Sequence, residues 1–454
     1  MRDSIATRPS DITISSDEIV IPVDLTQEAW PTPPAAAAFH GLAGEFVELV
    51  DPHTEADPVG LLLQFLIFFG IVIGRSAHFV AESHQHFCNL FLTLVGVTGK
   101  SRKGSSLSHV KCVLGMIDEQ WATDGIGSGL STGEGLIWQV RDAIEEQQPI
   151  KEKGRVVDYE KVIVDAGVVD KRLQVIEEEF VRVLAAMGRD SNTLSAVLRQ
   201  AWDTGDLRSM TKSSPAQATG AHIGIIAHVT RDELRRSLNE TEQTNGFANR
   251  FLWACVRRSK ILPEGGRIHE VDFDSFVSRL RDAVAFASKA GRFDRDDQAR
   301  DRWAEVYGDL SKGKPGLLGA VTARAEAQVM RLACLYAVLD CSAVIGLEHL
   351  EAALSAWDYC ERSAAYIFGD SLGDKLADDL LMAIRAHGEA GMSRTQMRDM
   401  FGRNKNGTEI ARALGRLSHL GRIELVPPES GKIGKPAECW RAIPQNDTTT
   451  KTAA

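Results

Sequence analysis

The stretch Leu90–Ser106, LFLTLVGVTGKSRKGSS, decides how the rest of the chain is read. Leu90, Phe91, Leu92, Leu94 and Val95 make a short apolar run of the length expected for a buried strand. A loop of small and basic residues follows, with Gly96, Thr98, Gly99, Lys100, Arg102, Lys103, Gly104, Ser105 and Ser106. From Leu107 to Ile117 the pattern reads as helix. Strand, glycine loop and helix in that order build a cradle for phosphate. Loop N–H groups and the helix N-terminus attract an anion, a lysine adds a point charge, and a hydroxyl reaches Mg²⁺. The spacing departs from G-x-x-x-x-G-K-[ST]: Gly99 and Gly104 are correctly separated, but Ser105 stands where the lysine belongs and Lys103 precedes the glycine. Gly99-Lys100-Ser101 has the right tail without the leading glycine, since residue 94 is leucine. A basic βα loop of some other α/β protein fits this stretch equally well, so the context has to decide.

That context lies downstream. Leu173, Val175 and Ile176 form an apolar strand ending in Glu177, Glu178 and Glu179. A nucleotide hydrolase needs acids opposite its phosphate loop, one to organise the Mg²⁺ shell and one to polarise the attacking water. Glu177, with Ser105, is assigned to the metal and Glu178 to the water. Acids at the start of a solvated helix read the same way. Next, HIGIIAHVT (222–230) is a third apolar run ending on His228 and Thr230, and NGFANRFLWACV (245–256) places Arg250 just before a fourth. Strands with polar carboxyl ends, separated by helices, predict an open α/β sheet that binds its ligand at those ends.

A net charge of −10 argues against a protein that coats nucleic acid or membrane over its whole surface, so any such contact has to be local. The seven cysteines are scattered without a CxxC or a metal-ligand spacing, which reads as a reducing cytoplasm. The opening MRDSIATRPSD has no apolar leader, and Val59–Ile73 is short for a membrane span and suits a buried helix.

In order, residues 1–35 read as a disordered tail running into WPTPPAAAA, and 36–266 as the core. Within the core, Phe39–Val50 and Pro58–Ile73 are expected helices, Arg75–Ala81 an expected strand, and 143–170 a charged excursion with a hairpin. Residues 267–372 read as a wholly helical lid. Then 373–443 gives three helices, two of them opened by the capping boxes Ser393-x-x-Gln396 and Asn406-x-x-Glu409, and a hairpin. That is the plan of a winged helix. Its 393–441 segment holds ten Lys/Arg against five Asp/Glu, with Arg412, Arg416, Lys432 and Lys435 as candidate nucleic-acid contacts. A protein-binding winged helix is the rival. Residues 444–454 read as a second disordered tail.

With VGVTGKSRKGSS, SGLSTGEGLI, VIEEEF, AWDTGDLR, IIAHVT, NGFANRFLW and TARAEAQVMRLACLYAVLD in view, the chain resembles a P-loop ATPase family of unknown function from phage and plasmid replication modules, associated with primases and helicases. The resemblance covers roughly Phe39–Ile443 and implies a P-loop NTPase core, AAA+ or RecA-like, using ATP and Mg²⁺ on DNA. NRF before a strand, a helical lid carrying TAR-x-E and a terminal winged helix also resemble AAA+ helicases of the minichromosome-maintenance type. That second resemblance implies Arg250 as a finger acting on a neighbouring subunit, Arg324 as lid sensor, His228 as polar sensor, and a homo-oligomeric ring such as a hexamer.

Overall fold

Five runs pair into one all-parallel sheet: β1 (Phe91–Gly96), β2 (Ile126–Gly127), β3 (Arg172–Glu177), β4 (His222–Thr230) and β5 (Phe251–Val256). Their spatial order is β5-β1-β4-β3-β2. These elements come from a computed structural model describing residues 30–443, apart from 153–154, 211–215, 239, 315, 370–373 and 427–437. The expected tails at 1–29 and 444–454 lie outside the described residues.

β1 and β5 are buried along their whole length and β4 up to Thr230. Covered on both faces, such strands are written as continuous apolar runs. The pairing sets Gly96 opposite both Thr230 and Val256, and Glu177 opposite Ala227, so the carboxyl ends finish along one edge. The chain leaves β1 for the β2 edge and leaves β4 for the β5 edge. Neighbouring strands whose exits diverge open a crevice between them, and β1 and β4 are that pair.

Helix α1 (Pro58–Val72) lies across the sheet, capped by Asp57, whose carboxylate accepts from Val59 N, with Pro58 at its first position. Every residue from Val59 to Val72 is buried, including Gln64. No described helix is long and apolar enough to cross a membrane. Helix α2 (Lys103–Gly115) packs on α1 directly after the glycine loop. Two long helices, α3 (Ala325–Leu339) and α4 (Leu347–Phe368), pack on each other, and α4 covers β5.

Some expectations need correction. The strand expected at 75–81 forms as His78–Ala81 but belongs to a separate three-stranded sheet with His84–Phe87 and Arg292–Phe293. The last of these interrupts a stretch read as wholly helical: two residues suffice to pair with a strand brought close in space, too few to leave a periodic signal. The short edge strand β2 went unread for the same reason. The hairpin expected within 143–170 is present as Ile144–Glu152 paired with Arg155–Asp165, exposed on both faces.

At the C-terminal end stand the helices Lys375–Ala386 and Arg394–Met400, then α5 (Gly407–His419). Both capping boxes are formed. Strands Met392–Ser393, Cys439–Ala442 and Ile423–Leu425 make a small antiparallel sheet, in that order. Ile410, Leu414 and Leu417 of α5 point into a separate core with Leu380, Ile384, Met397 and Trp440.

Candidate functional site

The glycine loop closes over the end of β1 through its own polar groups. Ser101 N and Ser101 Oγ both donate to Thr98 O, at 3.3 and 2.9 Å, and Lys100 N donates to Thr98 Oγ1 at 3.2 Å. Arg102 sits at φ +57°, a left-handed conformation that turns the loop into α2. Lys103 is the first residue of α2 and folds back over the loop, with Nζ 3.4 Å from Thr98 O. A Cβ on Gly96 would come within 2.4 Å of Ser101 Oγ and 2.6 Å of Lys103 Nζ, so the lysine occupies space that only glycine leaves open. Burial lowers the Lys103 pKa, while the Glu233 carboxylate raises it.

The acids divide between two sides. Glu177 ends β3 buried, accepting from Leu130 N at 2.6 Å, and desolvation raises its pKa against the pull of the Leu130 and Gly129 amides. Glu178, one residue on, is exposed and makes no hydrogen bond or ion pair among the described residues. Its Oε1 lies 4.0 Å from where a Cβ on Gly104 would stand, beside the first turn of α2. Successive residues of a strand face opposite ways, and the chain turns immediately after Glu177. The two carboxylates therefore serve different neighbours.

Three residues differ from the roles first given to them. Arg102 turns outward to Glu55 (Nε–Oε2 2.7 Å), which is also paired with Arg258. The Leu262 amide, with Arg258 and Arg102, holds the Glu55 pKa down to about 2. Ser106 is buried, donating to Lys103 O (2.7 Å) and accepting from Gln64 Nε2 (2.6 Å), which makes it a brace for the loop. His228 stops two residues short of the end of β4, buried, with Nε2 3.3 Å from Gln64 Oε1. Desolvation, with Lys103 nearby, pushes its pKa down to about 3, so it is neutral at pH 7. The strand's tip is Thr230, which forms a capping box with Glu233. The T-x-x-E signature at 230–233 was visible in the sequence; the proximity of Glu233 to Lys103 was not.

Gly99, Lys100 and Ser105 are exposed at the crevice mouth, and a Cβ on Gly99 would touch nothing within 4 Å. As donors for Mg²⁺, Ser105 is an accessible oxygen group and Glu177 is a carboxylate already held in place by Leu130 N. Oxygen donors of this kind, completed by phosphates and water, suit that ion.

Arg250 precedes β5, and Phe251 pairs with Phe91, so it lies at the opposite end of the sheet from the loop. Six strand residues at about 3.3 Å each separate the two, roughly 20 Å. The expected outward presentation is not found: Arg250 is 5% exposed and ion-paired to Asp203 (Nη2–Oδ2 2.5 Å). Asp203 also binds Arg324 (3.3 Å), which is about one-third exposed and lies over Trp202. Sequence reading missed Arg331. It is wholly buried in α3, stacked 3.6 Å over Trp202 and donating to Asn89 O and Trp202 O, which ties α3 to the segments leading into the sheet.

On α5, Arg412 is exposed and Arg416 is half exposed, 3.4 Å from Asp374. Lys432 and Lys435 lie outside the described residues. No family model matches the chain, and no curated protein is found to be similar to it.

Proposed function

We propose that this protein is a Mg²⁺-dependent ATP hydrolase, with a P-loop core and a C-terminal winged helix, acting as a ring-forming DNA motor in phage or plasmid replication. The observation that carries the ATPase reading is Lys103 folded over the loop at the end of β1, with Glu178 free beside the same helix turn. The crevice between β1 and β4 receives the triphosphate. Free N–H groups in the first turn of α2 and the Lys103 ammonium hold the β- and γ-phosphates. Glu178 accepts the proton of the attacking water, and Lys103 places positive charge where negative charge grows in the transition state. Ser105 and Glu177 would hold Mg²⁺, which would supply positive charge against the phosphate oxygens.

Burial of Arg250 favours a second reading, an ATP-dependent DNA-binding switch that does not translocate. Steady-state hydrolysis with and without single-stranded DNA separates the two. A motor is stimulated at least tenfold by DNA, and a switch turns over slowly and is indifferent to it. Absence of turnover that depends on Lys103, tested with Lys103→Ala, removes the ATPase reading altogether.

A further inference from the structure

A second cavity, of about 670 Å³, opens at the amino end of the sheet, away from the glycine loop. Its walls come from the small three-stranded sheet (Phe79, His86), the helix Asp297–Leu310 (Trp303, Tyr307) and the start of α3 (Arg324), with Arg295 among them. The Arg295 guanidinium is sandwiched between two rings, 4.6 Å from the centroid of Phe79 and 4.4 Å from that of Trp303. Its one side-chain acceptor is the Met330 thioether, at 3.0 Å, and its Nε is buried without a partner. Among the described residues it forms no ion pair, since Asp294 goes to Arg292 and Asp296 caps the following helix. Burial pushes its pKa down to about 10. His86 adds a buried Nδ1 that also lacks a partner, and the one ion pair of Arg324 among the described residues is with Asp203. Glu326 also lines the cavity but forms no ion pair with Arg295 among the described residues. A half-buried cation without a paired counter-ion is costly, and a roomy cleft leaves space for one to enter from outside.

We infer that this cavity is a binding site for a small phosphorylated molecule of nucleotide size, its phosphate held by Arg295 and Arg324. The planar guanidinium is held between aromatic faces at the cavity wall, and its terminal N–H groups are the donors a phosphate there would meet. The volume falls within the range of small-molecule sites, and the half-exposed Tyr307 ring offers a face to a flat group. The site does not depend on the ATPase reading.

The test uses the full chain carrying Lys103→Ala, so that the glycine loop does not compete. Saturating pyrophosphate or AMP should raise its Tm by about 3 °C, as a ligand at a hundred times its Kd does for a chain of this size. AMP binding more tightly than pyrophosphate assigns the site to nucleotides; equal binding assigns it to the phosphate group alone. Adding Arg295→Met should abolish the shift while leaving the ligand-free Tm equal or higher, because an uncompensated cation has been replaced by an apolar chain of similar length. Arg295→Lys should fold and bind at least tenfold more weakly. No shift with either ligand overturns the inference. So does retention of the shift in Arg295→Met, or a ligand-free Tm lowered in both variants, which marks Arg295 as a structural brace.

Discussion

Glu177 and Glu178 are adjacent, yet their surroundings predict opposite responses to the same substitution. Glu178 is exposed and unbonded, so Glu178→Gln costs nothing in folding. It should bind ATP normally and lose hydrolysis by about 10²-fold or more, the range for removing a general base. Glu177 is desolvated, and its pKa is raised by that burial. Glutamine there keeps an oxygen for Leu130 N and removes the buried charge, so Glu177→Gln should hold or raise Tm while weakening Mg²⁺ binding. Melting curves and Mg²⁺ titrations of the two variants check both statements. A Glu177→Gln protein that melts well below the parent would show that the carboxylate is needed by the fold rather than by the metal. Arg102 carries a third statement: Arg102→Gly relieves a left-handed backbone and removes a surface ion pair, so turnover should survive it. Loss of turnover in that variant would return Arg102 to the phosphates.

At the scale of the element, β4 carries two buried histidines. His222 contacts Gly70 O and His228 contacts Gln64 Oε1, and burial holds both pKa values at about 3 against an ordinary 6.5. The unfolded chain takes up these protons as pH falls below 6.5 and the folded chain does not. Stability is therefore full above about pH 6.5 and declines toward pH 3. At pH 5 each histidine removes about 2 kcal/mol, from 1.36 kcal/mol per pH unit. The depressed Glu55 adds its own loss only below its ordinary 4.5, so pH 5–7 belongs to the histidines, His222 and His228 together with His86, held at about 4, and His109, both lowered chiefly by burial. Urea midpoints at pH 7 and pH 5 measure the slope, and His228→Gln should remove about a third of it, since His222 and His86 contribute alongside it. An unchanged slope would mean that His228 is not kept neutral by the fold.

For the whole molecule, the separation of the glycine loop and the Arg250–Asp203–Arg324 cluster at opposite ends of the sheet matters most. No arginine of this cluster reaches the loop of its own chain, so a role in hydrolysis requires a second copy stacked head to tail. Arg324, one-third exposed, is better placed for that than Arg250, which is buried beneath its ion pair with Asp203. If the ring proposal holds, Arg324→Ala should bind ATP and hydrolyse it poorly, and mixing it with excess Lys103→Ala should restore part of the turnover. Arg250→Ala should mainly cost stability, since it leaves Asp203 with one partner fewer. Turnover across mixing ratios, with co-assembly verified by light scattering, decides it: no recovery at any ratio rejects a site shared between subunits.

Length and continuity of apolar runs were enough to read β1, β3, β4, β5 and α1, because strands and helices buried on all sides need apolar residues at every position. Capping boxes at 230, 393 and 406 are equally local, each being a hydroxyl or amide three residues from its partner, and the last two were read in advance. Glu177 and Glu178 were legible as candidates because they follow an apolar run directly, and Lys103 because it stands in the basic glycine loop after one. Tertiary structure alone decided what each one meets. Pairing in the order β5-β1-β4-β3-β2 brings Glu233 toward Lys103, sends Arg102 to Glu55 and buries His228 on Gln64, and all three depend on strands far apart in sequence. The same pairing puts Arg250 a full strand away from the loop. Sequence carries a residue's chemistry and the period of its own segment, whereas its neighbours across a sheet follow from the free energy of packing the whole chain.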